Sequence, residues 1–129
     1  AGFDVTVNDL DKANAEGLVK AGAKWADDPQ AVAEQVDCVI TCLPSPAISA
    51  EVVEGKDGLL EGVTRGKVWL EMSTTDSDEI KRLAPKVEAR GGTAMDCPVS
   101  GGCHRAGGAR GRRSRGARPR PRGSSRPAP

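Results

Sequence analysis

Asp37-Cys-Val-Ile-Thr-Cys-Leu43, followed by Pro44-Ser45-Pro46, is the stretch whose reading decides the fold. After Asp37 every residue but Thr41 is apolar. It predicts a strand covered on both faces. The prolines end it, and a helix from about Ala47 to Val53 is expected next. Upstream, Asp28-Pro29 opens a helix with proline in its first turn and Ala31, Val32 and Val36 as its stripe. Further back, Phe3, Val5 and Val7 alternate with polar residues up to Asp9, which suits another strand. Asp11 can cap a helix to about Lys20, with Ala13, Leu18 and Val19 among its apolar positions, and Gly22 can end it. Ala23 to Ala26 reads as a short extended piece.

Downstream, Gly55 to Gly66 reads as loop with a helical turn near Leu59 and Leu60. Lys67 to Met72 is a strand. Ser73-Thr74-Thr75 supplies cap candidates for a helix from Asp76 to Ala89, where Pro85 should introduce a kink. Gly91-Gly92 closes that helix, and Thr93 to Met95 is a last short strand. Strand and helix alternate throughout, which predicts an α/β domain built on a parallel sheet with right-handed crossovers.

The chain has 129 residues, enough for one domain. Its aromatics are Phe3, Trp25 and Trp69 alone, so Val, Leu, Ile and Ala must build the core. No apolar run reaches the roughly 18 residues of a membrane span, and no signal or transit sequence is visible. The expected setting is the cytoplasm, with the mitochondrion as the alternative. Cys38 and Cys42 would lie roughly 13 Å apart along a strand, too far for a disulfide. Cys97 and Cys103, with His104 beside the latter, are spaced too widely for a usual zinc pair, so no metal is expected and reduced thiols are.

The net charge of +1 hides a division. Residues 1–102 carry ten cations against eighteen acids, net −8, while 103–129 carry nine arginines and no acid. From Arg105 onward only Arg, Gly, Ala, Pro and Ser occur, with nothing apolar larger than Ala to bury. The expectation is a folded unit over 1–102 and a disordered basic tail over 103–129.

In parallel α/β sheets ligands sit beyond the carboxyl ends of the strands. Here those ends are Asn8-Asp9, Leu43-Pro44-Ser45, Met72-Ser73-Thr74-Thr75 and Cys97-Pro98-Val99-Ser100-Gly101-Gly102. An acid at a strand end can accept both hydroxyls of an adenosine ribose. Each segment also has an ordinary structural use: Asp9 as a turn or cap, Leu43-Pro44 as a strand end, Ser73 and Thr74 as caps, Ser100-Gly101-Gly102 as a tight turn.

Together these segments, with Ala21-Gly-Ala23 and Gly55-Lys-Asp-Gly-Leu-Leu60, resemble the NAD(P)-binding domain of the β-hydroxyacid dehydrogenases. That group includes 3-hydroxyisobutyrate and 6-phosphogluconate dehydrogenases, and the former is the nearer. The resemblance implies a Rossmann-like doubly wound sheet and hydride transfer between a nicotinamide and the carbon bearing a 3-hydroxyl. It places Asp9 at the adenosine ribose, Leu43 and Pro44 along the nucleotide, and Thr74 toward the nicotinamide. Ser100, Gly101 and Gly102 match the loop that holds the substrate carboxylate. NADP-preferring members tend to carry Asn-Arg where this chain has Asp9-Leu10, so NAD is the expected cofactor and NADP the less favoured one. A small 3-hydroxy acid is the implied substrate, and a homo-oligomer the implied state of a complete protein.

Two departures stand out. The family's Gly-x-Gly-x-x-Gly turn falls between its first strand and first helix, and this sequence starts after both. The sheet is therefore expected to lack its first strand, central in the order 3-2-1-4-5-6, and to bind NAD weakly or not at all. The family's later catalytic lysine also has no counterpart, since Lys86 is the last lysine, so no catalytic residue is assigned and the chain is expected to be inactive alone. The abrupt tail suggests a GC-rich gene read out of frame. The alternative is a nucleic-acid-binding protein acting through its Arg/Gly-rich end.

Overall fold

The computed structural model describes residues 2–74 and 77–99. The elements run β1 (Thr6–Val7), α1 (Lys12–Lys20), β2 (Lys24–Trp25), α2 (Pro29–Gln35), β3 (Cys38–Thr41), α3 (Pro46–Glu54), α4 (Leu59–Gly62), β4 (Val68–Glu71), α5 (Ser77–Ala89) and β5 (Thr93–Asp96). Capping chemistry sets the helix starts. Asp11 accepts from the Ala13 N–H at 3.0 Å, Asp28 from Ala31 at 2.6 Å and Ser45 from Ile48 at 3.3 Å. Gly22 and Gly91 turn the chain out of α1 and α5 with φ of 106° and 83°, conformations that side chains resist. Helix α5 continues through Pro85.

All strand pairs are parallel. β1 pairs with β2, and β3 with β4 and then β5, in register Thr41↔Glu71↔Asp96 at the carboxyl ends. No hydrogen-bonded pair joins the two sheets among the described residues. The architecture is α/β and Rossmann-like, in two parallel sheet pieces. Helix α2 touches β1, β3 and α4 and so links the pieces.

The core lies on one face of β3-β4-β5. Trp69 and Val39 pack there against Ala33, Val53, Leu59, Val63, Leu83 and Val87 from α2 to α5 and the connecting loop. Gly62 brings α4 close to α2, because a Cβ there would stand 2.4 Å from the Gln30 carbonyl.

Four expectations are corrected. The first strand keeps only Thr6 and Val7, since one two-residue neighbour is all it pairs with, and Phe3 is left 82% exposed. In α1 the buried residue is Ala15, with Leu18 and Val19 open to solvent. Helix α3 is one residue longer at each end than expected, because Pro46 fits the first turn after the Ser45 cap. Strand β3 is covered on one face only: Val39 and Thr41 are buried, while Cys38, Ile40 and Cys42 are exposed.

Candidate functional site

The carboxyl ends of β3, β4 and β5 lie side by side and are tied by hydrogen bonds. Thr41 and Glu71 are in register and both point into the protein. The Thr41 hydroxyl donates to Glu71 Oε2 at 2.9 Å and accepts from the Trp69 indole N–H at 2.9 Å. The Ser73 N–H donates to Glu71 Oε1 at 2.8 Å, and the Ser73 hydroxyl donates to the same oxygen. That hydroxyl also accepts from the Leu43 N–H at 2.6 Å. On the other side, Thr74 Oγ1 donates to the Val99 carbonyl at 3.2 Å. Main-chain bonds from Cys97 to Glu71 and from Val99 to Met72 carry the β5 exit alongside β4.

Of the expected site residues, Leu43 is therefore joined to the β4 tip and Thr74 to the β5 exit, with Pro44 and Thr74 exposed. Asp9 follows β1, in the smaller sheet. One of its oxygens accepts from the Asp11 N–H at 2.9 Å and from the Asn14 amide at 3.1 Å, and its carboxylate is exposed. This is the turn role open to such an acid, and it leaves Oδ2 without a protein partner among the described residues. Ser100, Gly101 and Gly102, and the tail from Cys103 on, lie outside the described residues.

Ser73 is corrected as a cap. It is 3% exposed, and its hydroxyl is spent on Glu71 and Leu43 rather than on α5. Glu71 is the functional candidate that sequence reasoning missed. It is fully buried, and acids are seldom buried unless partnered. The signal was present: Glu71 stands two residues after Trp69 in a strand, so both share the inward face.

Cys38, Cys42 and Cys97 are free thiols. Among the described residues no three His, Cys, Asp or Glu side chains group as metal ligands, and no helix is long and apolar enough to cross a membrane.

A parallel Rossmann-like sheet whose loops crowd the carboxyl ends of its strands is the class of dinucleotide-binding domains. Residues 1–111 match the NAD binding domain of 6-phosphogluconate dehydrogenase, and the chain belongs to that family. It is 39% identical over 101 residues to the mitochondrial 3-hydroxyisobutyrate dehydrogenase of Rattus norvegicus, covering 78% of this chain and 30% of the rat protein. Its fold superposes on 3-hydroxyisobutyrate dehydrogenase from Salmonella typhimurium with a TM-score of 0.73 and 25% identity, over 81% of this chain and 36% of that one. Psf3 in complex with NADP+ and 2-OPP gives a TM-score of 0.72 at 26% identity, over 78% and 36%. The chain thus spans about a third of the length of these relatives.

Proposed function

We propose that this chain is part of the nicotinamide-nucleotide-binding unit of a 3-hydroxyacid dehydrogenase of the 3-hydroxyisobutyrate type. In the whole enzyme, hydride would pass between the nicotinamide and the carbon bearing the 3-hydroxyl of a small acid. The observation that carries this reading is the gathering of Leu43, Ser73, Thr74 and Val99 at one end of a parallel sheet. Pro44 and Thr74 are exposed there, so main chain and hydroxyl are accessible to a nucleotide.

Asp9 is assigned to the ribose: one oxygen is held by Asp11 and Asn14, leaving the other to accept from ribose hydroxyls. Its charge disfavours a 2′-phosphate, so NAD is preferred over NADP. Leu43, Pro44 and Thr74 line the cofactor, and Ser100, Gly101 and Gly102 take the substrate carboxylate. Residues 1–129 contain no Gly-x-Gly-x-x-Gly and no lysine after Lys86. NAD binding is therefore weak and turnover by this chain alone absent. The nucleotide unit is assigned to 1–102 and the basic tail to 103–129. Free thiols suit a reducing compartment, the cytoplasm on this reading with the mitochondrion as the alternative.

The test is an amide chemical-shift titration of the chain with millimolar NAD+ and NADP+. Shifts confined to the amides at and beside residues 9, 43 and 74, larger for NAD+ and evened out by Asp9→Asn, support the reading. Shifts elsewhere, or none, refute it. A second reading rests on the nine acid-free arginines of 103–129: a salt-dependent RNA complex lost on deleting them would favour nucleic-acid binding.

A further inference from the structure

A buried carboxylate with no cation paired to it among the described residues calls for an account. Glu71 is fully buried, and its partners are the Thr41 hydroxyl, the Ser73 N–H and the Ser73 hydroxyl. These meet its hydrogen-bonding demand, yet a neutral side chain of the same shape would avoid the cost of burying charge. What the carboxylate adds is direction. A carboxylate only accepts, so it turns the Ser73 O–H toward itself, and the serine's lone pairs are left facing Leu43. The Leu43 N–H donates into them at 2.6 Å.

That bond replaces a ladder bond. With Thr41 opposite Glu71, a continued parallel ladder would send the Leu43 N–H to the Met72 carbonyl. Instead the Met72 carbonyl accepts from Val99. The β3–β4 ladder therefore ends on a side chain, and the β3 chain leaves the sheet at Leu43 just before Pro44.

We propose that Glu71 is a positioning residue: acting through Ser73, it fixes where the Leu43–Pro44 main chain leaves β3 and so shapes the surface that meets the nucleotide. This rests on the nicotinamide-nucleotide reading of the strand tips. Glu71 itself touches no ligand, because it is buried beneath those tips.

The experiment is amide hydrogen exchange on the full chain and on Glu71→Gln, Ser73→Ala and the double variant, followed by NAD+ titration of each. Glu71→Gln keeps the shape and an acceptor oxygen, so the fold is retained. The expected result is exchange at Leu43 faster by about tenfold in Ser73→Ala, faster to a lesser degree in Glu71→Gln, and no faster in the double variant than in Ser73→Ala. Val39 and Leu70 should keep their protection, and the NAD+ response at 43 and 74 should weaken. Unchanged exchange at Leu43, or one common factor across β3 and β4, overturns the assignment, since the latter is what general destabilisation produces. A local loss at Leu43 with an undiminished NAD+ response also overturns it. No NAD+ response in the unaltered chain refutes the nucleotide reading beneath it, whatever Leu43 does.

Discussion

Lys67 reaches across from the start of β4 to the end of α2 and donates to the Ala33 carbonyl at 2.5 Å. The same ammonium donates to the Val36 carbonyl at 2.8 Å and to the Glu34 carbonyl at 3.1 Å. Helix α2 has no basic residue of its own in its last turn, so a residue some thirty positions away supplies the charge that helix carboxyl ends attract. Lys67→Met keeps the apolar stem and removes the donors. The expected outcome is a loss of about 1–2 kcal/mol in urea unfolding, with the fold unchanged by circular dichroism. A loss below a few tenths would mean that water serves the carbonyls equally well.

Close packing of α2 on α4 predicts the effect of a single methyl. A Cβ on Gly62 would sit 2.4 Å from the Gln30 carbonyl oxygen and 2.9 Å from the Ala33 Cβ. Both neighbours belong to a helix, and Ala33 is fully buried, so neither can swing aside. Gly62→Ala is expected to cost about 1–3 kcal/mol despite alanine's better helix propensity. The midpoint of thermal unfolding checks this, and an increase would show that the helices separate easily.

Much of this fold is legible in the residues. Period-two and continuous apolar runs locate β3, β4 and β5, and Asp11 and Asp28 mark two helix starts by a mechanism that acts within four residues. What is not legible depends on partners distant in sequence. Phe3 and Val5 alternate as a strand should, but β2 pairs with only two residues, and alternation carries no information about neighbours. Ser73 looks like a cap because it precedes a helix, whereas its real partners are an acid two residues back and an amide thirty residues back. The candidate site divides in the same way. The strand tips could be named from the sequence, while the Glu71 network that joins them depends on the Thr41↔Glu71 register, which only the folded chain reveals.

An ion network on the surface sets an acid dependence. Glu54 of α3 accepts from Arg82 of α5 at 2.5 Å and pairs with Lys86, while Arg82 also meets Glu79 at 2.5 Å. The Arg82 hydrogen bonds, then the Lys86 contact, hold the Glu54 carboxyl down at about 2, and Arg82 lowers Glu79 as well. A carboxyl whose folded value lies below its ordinary 4.5 adds stability above 4.5, and that stability fades as pH falls toward 2. Glu54→Gln should lower stability modestly at neutral pH, and the difference from the unaltered protein should close as pH falls from 4.5 toward 2, flattening the acid limb. Added salt should shrink the difference, because the groups are solvent-exposed. Identical acid limbs for the two proteins, followed by urea midpoints from pH 6 to 2, would exclude this role for the network.

Ser49 points the other way, toward a substitution that strengthens the fold. It lies in α3, is 2% exposed, and its hydroxyl has no hydrogen-bond partner among the described residues. An unpartnered buried hydroxyl lowers stability by the cost of leaving water, about 1–3 kcal/mol by comparison with mutational series. Alanine removes the hydroxyl without altering the backbone and is the better helix former. The vacated volume is one oxygen atom, so the cavity penalty is small beside the desolvation relieved. Ser49→Ala is expected to raise the unfolding free energy by about 0.5–1.5 kcal/mol, with the midpoint of thermal unfolding rising in step. A fall instead would show that a buried water or an alternative rotamer satisfies the hydroxyl, and that alanine empties a site the native protein keeps filled.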